Sequence, residues 1–173
     1  MNRKGLGPGR LAITAVMTGV VFVLTSIVHV PTPARGYIHL GDTGVFFTAF
    51  AFGPWIGGVA GGIGTLLADV VGGFPLWAPF SLLIHGLQGW VVGWMSRRWP
   101  GVPGYLVSAV VGGMIVVVGY LGAGVLLSGV GAALGELPMN VIQVVGGAVV
   151  ALPLFVAVRQ AYPPILSLGR RRD

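Results

Sequence analysis

Along the chain, apolar residues come in long runs separated by short clusters of Gly, Pro and charge. Four runs, 11–30, 76–95, 105–127 and 137–158, are each long enough to cross a bilayer as a helix; about 20 apolar residues suffice. The stretch 44–71 is too long for one upright span and too short for two. Gly53-Pro54 sits near its middle, and proline there breaks a helix. The stretch therefore divides into short helices at 43–52 and 55–71. The pattern predicts an all-α integral membrane protein, one domain over 1–173, built as a six-helix bundle.

Composition supports that class. Apolar residues make up 55% of the chain and charged residues only 8%, against about 25% charged in a soluble domain. Mean hydropathy is +0.92. A disordered chain needs the opposite balance. There is no cysteine, which excludes a disulfide framework, thiol catalysis and a Cys-ligated metal. The first run has full span length and no small-residue cleavage site, so it reads as a span rather than a signal peptide.

The net charge of +6 carries topology. Arg3, Lys4, Arg10, Arg97, Arg98, Arg159, Arg170, Arg171 and Arg172 flank apolar runs. The positive-inside rule places them in the cytoplasm with both termini. An even number of passes follows, and Arg35 alone falls outside. The same distribution argues against a phosphate-binding surface, so no nucleic-acid partner is expected. The lipid bilayer is the expected surrounding.

Polar residues inside a bilayer are costly and face the bundle interior. Trp77, Ser81, His85 and Gln88 form one stripe on the fourth run. Glu136, Asn140 and Gln143, continued by Gly147, form a second on the sixth. Both start at the outer end of their helices, which describes a polar cavity open to the exterior. Trp77 and Tyr120 supply flat walls. This mixture suits a small heteroaromatic ligand. Interhelical hydrogen bonding alone is the competing explanation of the stripes. Asp42 opens a helix after Gly41 and reads as an N-cap. Asp69 reads as a loop cap, a partner of Arg35 or a ligand contact. The small-xxx-small pairs Gly57–Gly61 and Gly58–Gly62 read as close helix packing. Ser81 and His85 share one helix and lack an oxyanion element, so a catalytic pair is disfavoured. No metal-ligand spacing and no phosphate-binding glycine loop occurs.

Several blocks in 36–93 carry a family likeness: IHLGDT at 38–43, FGP at 52–54, LADVVGG at 67–73, WAPF at 77–80 and IHGLQG at 84–89. With LPMNVIQ at 137–143, they resemble the substrate-binding membrane subunit, or S component, of energy-coupling factor (ECF) transporters. The likeness is to the group serving riboflavin, hydroxymethylpyrimidine and pyridoxine-like compounds. The resemblance implies a binding subunit in the prokaryotic cytoplasmic membrane that captures a vitamin or precursor from outside with high affinity. It implies docking on a transmembrane coupling protein and two ATPase subunits. The chain itself binds no cofactor and is no enzyme; ATP is used by the partners. Ala12, Ala15 and Gly19 loosely match the family's small-residue docking face on the first helix. The family's ligand contacts map by region onto Trp77, Ser81, His85, Gln88, Tyr120, Glu136, Asn140 and Gln143. The loop 31–41, with Arg35, Tyr37 and His39, maps onto a lid. The chain lacks the Met-His-Ile start of the nickel and cobalt members, which argues against a metal substrate. A membrane scaffold and a stand-alone facilitator remain the alternatives.

Overall fold

The second helix is the centre of the molecule. The computed structural model describes residues 7–28, 30–31 and 37–168. Arg35 and the charged residues Arg3, Lys4, Arg170, Arg171 and Arg172 lie outside the described residues. Within them the order is α1 (Pro8–Ile27), β1 (Val30–Pro31), β2 (Tyr37–Ile38), α2 (Gly41–Phe52), α3 (Pro54–Gly72), α4 (Ala78–Arg98), α5 (Val102–Ser128), α6 (Val130–Ala161) and α7 (Ile165–Leu168). The sequence GVFFTAFAF in α2 has no polar face. A helix apolar all round must be surrounded, and α2 packs on α1, α3, α4 and α6. Only Phe47 of its residues escapes full burial.

Four helices, α1, α3, α5 and α6, are long and apolar enough to cross a membrane. The helix α4 has the length but carries the polar stripe, and α2 has only 12 residues. At 1.5 Å per residue α2 is about 18 Å long, shorter than the roughly 30 Å hydrocarbon core.

Helix ends differ from the expected ones for local reasons. The first helix starts at Pro8, where a missing N–H costs nothing. It stops at Ile27 because Val30 and Pro31 pair antiparallel with Ile38 and Tyr37. The Gly-rich stretch 128–138, which joins the runs 105–127 and 137–158, is mostly helix. Gly129 alone, at φ +86, makes the turn between α5 and α6. Gly124 then packs on Ala133 across the tight hairpin, which offsets the poor helix propensity of Gly131 and Gly135. Glu136 therefore stands on a helix.

The glycines of α3 form a seam with α4. A Cβ on Gly61 would lie 2.7 Å from the carbonyl oxygen of His85, and one on Gly62 2.7 Å from that of Leu82. Gly57 and Gly89 meet backbone to backbone. The packing sets α4 in register so that His85 and Gln88 face inward, both fully buried.

Candidate functional site

At the end of the bundle holding the β1–β2 pair and the α3–α4 and α5–α6 turns, side chains from five elements enclose a cavity. Its lining is Tyr37 and His39 from the β2 segment, Asp69 from α3, and Trp77, Ser81, Tyr120, Glu136, Asn140 and Gln143. Its empty space is about 370 Å³, counting the part open to solvent. Trp77 and Tyr120 stand with ring centroids 5.9 Å apart and form a two-sided aromatic corner.

The structure thus brings both stripes and the lid segment to one cavity. Not every stripe residue reaches its surface. His85 and Gln88 stand behind the wall, part of a chain of hydrogen bonds that runs through the core. Ser81 Oγ and the Tyr120 hydroxyl are 2.7 Å apart, and the Tyr120 hydroxyl is 3.1 Å from His85 Nε2. His85 Nδ1 lies 2.8 Å from Gln88 Oε1. Gln88 donates from Nε2 to Asp42 Oδ1 at 2.6 Å. Gln143 donates from Nε2 to Asp42 Oδ2 at 2.7 Å, and its Oε1 accepts from the His39 backbone N–H at 3.0 Å. Asp42 is therefore not an N-cap: α2 begins at Gly41, the cap position falls on Leu40, and Asp42 lies inside the first turn. Its position in the first turn of α2 points the carboxylate at α4 and α6. Gly147 permits this approach, because a Cβ there would meet Asp42 Cβ at 2.6 Å.

Asn140 behaves differently from Gln143. It is 8% exposed, lines the cavity, and is the one stripe amide with no protein partner in the described residues. Its amide stands open to the cavity, where a ligand can pair with it.

The segment 37–40 is held at two points. Beside the His39–Gln143 bond, the Tyr37 hydroxyl donates to Asp69 Oδ1 at 2.7 Å. Burial, with the Asp69 charge, holds the Tyr37 phenol above its ordinary pKa. It stays a donor. Tyr37 also packs on Phe74, at 4.6 Å between centroids. Asp69 thus holds Tyr37 and lines the cavity at once. No local pattern marks Asp42 as the junction of the two stripes, because its partners lie far away in the chain.

Below this network an aromatic cluster of Phe46, Phe50, Tyr105 and Phe155 fills the inner half of the bundle. Arg159 donates to the Tyr105 hydroxyl at 2.9 Å beneath it. On α1, Ala12, Ala15 and Gly19 point away from the bundle, and nothing lies within 4 Å of a Cβ at Gly19. The α3 glycines, by contrast, are occupied by α4 and α1. Among the described residues there is no group of three or more His, Cys, Asp or Glu placed to hold a metal ion.

Residues 8–160 match the family described as ECF-type riboflavin transporter, S component. The chain is 39% identical over 148 residues to an uncharacterised protein in the gap 3′ region of Pyrococcus woesei, covering 85% of this chain and 99% of the relative. It is 33% identical over 144 residues to the thiamine precursor transporter HmpT of Lactococcus lactis subsp. cremoris (strain MG1363), covering 82% of each.

Proposed function

Since the chain belongs to the family of ECF-type riboflavin transporter S components, we propose that it is the high-affinity binding subunit of an ATP-driven importer in a prokaryotic cytoplasmic membrane. The substrate is a vitamin or vitamin precursor, and the similarity to a thiamine precursor transporter favours a hydroxymethylpyrimidine-type ring. The observation that carries the reading is the cavity, with its aromatic corner at Trp77 and Tyr120 and the partnerless amide of Asn140. A planar ring stacks in the corner while Asn140 pairs with an adjacent donor and acceptor on its edge, as amides do with aminopyrimidine edges. Trp77, Ser81, Tyr120, Glu136, Asn140 and Gln143 surround it; His85 and Gln88 act from behind. Tyr37 and His39 close over the ligand, with Arg35 in the same loop.

The six helices α1 to α6 all cross the membrane in this reading, with both termini cytoplasmic. Arg97, Arg98 and the half-exposed Trp94 and Trp99 support a cytoplasmic interface at that end of α4. The inner half is filled by the aromatic cluster, so the chain alone offers no path through. Ala12, Ala15 and Gly19 form the face that docks on a transmembrane coupling protein, which carries two ATPases. Small residues permit a helix contact that forms and breaks. The chain is not an enzyme. A scaffold role explains Gln88 and Gln143 as helix glue but leaves the cavity and Asn140 without a purpose.

The test is uptake of radiolabelled hydroxymethylpyrimidine into proteoliposomes. Accumulation that needs the coupling protein, the ATPases and ATP is expected. Uptake by the chain alone would establish a facilitator instead.

A further inference from the structure

Asp42 touches no part of the cavity surface, yet both cavity stripes end on its two carboxylate oxygens. We infer that Asp42 sets the donor–acceptor polarity of the cavity wall, so that Ser81 faces the ligand as an acceptor and the site selects a ring substituent donating N–H or O–H there. The inference rests on the binding role proposed above and names what that site requires of its ligand.

The polarity follows bond by bond. A carboxylate only accepts, so the Gln88 nitrogen must face Oδ1. Its carbonyl oxygen then faces His85 Nδ1, which must carry the hydrogen. A neutral imidazole that donates at Nδ1 accepts at Nε2. The Tyr120 hydroxyl therefore donates to His85, and its oxygen accepts the Ser81 hydroxyl hydrogen. Ser81 has no hydrogen left for the cavity and presents lone pairs only. The second carboxylate oxygen fixes Gln143 in the same way and turns its carbonyl oxygen to the His39 backbone N–H. One carboxylate thus orients the wall and the lid anchor together. Asp42→Asn puts a donor against one of the two glutamines. Where that glutamine is Gln88, its amide turns over, the His85 hydrogen moves to Nε2, and Ser81 becomes a donor.

The test reads the tautomer directly. Nitrogen-15 histidine spectra of the ligand-free protein in detergent report which ring nitrogen is protonated, and His85→Gln assigns the signal among three histidines. A neutral His85 protonated at Nδ1 is expected in the unaltered chain, with an Nε2-protonated population appearing in Asp42→Asn. A wild-type His85 protonated at Nε2, or at both nitrogens, would overturn the inference without any variant having to fold. Binding gives the second readout, with hydroxymethylpyrimidine, its des-amino analogue and its O-methyl ether as probes. One analogue should bind about 10-fold more weakly than the parent, and Ser81→Ala should erase the difference. Equal affinity for all three compounds would contradict the donor requirement. Absence of binding by all three would count against the binding role itself, and the spectrum would then decide the polarity alone.

Discussion

Gln143 donates its amide nitrogen to Asp42 at 2.7 Å across 101 positions of sequence, joining α6 to the first turn of α2. The same amide accepts from the lid backbone at His39. Gln143→Ala therefore strands a buried carboxylate oxygen and a buried N–H. It should lower stability by about 1–3 kcal/mol, read as a fall in melting temperature of the ligand-free protein.

Asn140→Ala should spare stability and act on binding. The wild-type amide has no protein partner among the described residues, so its removal leaves the melting temperature of the free protein unchanged. Ligand affinity should fall about 10- to 100-fold, the worth of one or two hydrogen bonds in a buried site. Titration calorimetry with hydroxymethylpyrimidine checks the second effect and a thermal melt the first.

The helices and the two polar stripes were legible because each rests on local pattern. Apolar run length marked the spans, and a four-residue spacing put Ser81 and His85 on one face. Depth was not legible. His85 and Gln88 share the stripe of Trp77, yet they sit about two and three turns deeper, where His85 bonds Gln88 and Gln88 bonds Asp42 instead of reaching the cavity. Asp42 looked like a cap because Gly41-Asp42 opens a helix, and its true partners come from residues 46 and 101 positions away. The helix over 130–138 was hidden by Gly131, Gly135 and Pro138, whose local preference yields to packing in the α5–α6 hairpin.

The glycine seam gives a clean contrast. A Cβ on Gly57 would meet the Gly89 carbonyl oxygen at 2.8 Å and Ala49 Cα at 2.9 Å. Gly57→Ala should cost about 1–3 kcal/mol by forcing α3 from α4. Gly19→Ala meets nothing within 4 Å and should stabilise α1 slightly, by up to about 1 kcal/mol. Paired melts of the two variants test both signs.

Lid closure should resist alkali. Burial and Asp69 raise the Tyr37 phenol above its ordinary value of 10.0. A raised folded-state value means that the contribution is fully present below the ordinary phenol range and is lost only as pH rises beyond it. Ligand release should therefore be constant between about pH 7 and 9 so far as Tyr37 governs it. Tyr37→Phe should speed release about 10-fold at every pH in that window. Stopped-flow dissociation rates decide.

A bulky side chain on the exposed α1 face should separate binding from transport. Ala15→Trp lies outside the bundle, so affinity in detergent should stay within about 2-fold of the unaltered chain. ATP-dependent uptake in reconstituted vesicles should be abolished, because the close helix contact needs small residues.

The central claim is capture of a small heteroaromatic vitamin precursor in the cavity bounded by Trp77, Tyr120 and Asn140. Titration calorimetry of the detergent-purified chain against hydroxymethylpyrimidine, with riboflavin and pyridoxine alongside, tests it most directly. Saturable binding of one molecule per chain at micromolar or tighter affinity, weakened by Asn140→Ala, is the expected result. Folded protein that gives no heat of binding and no thermal stabilisation with any of these compounds would contradict it.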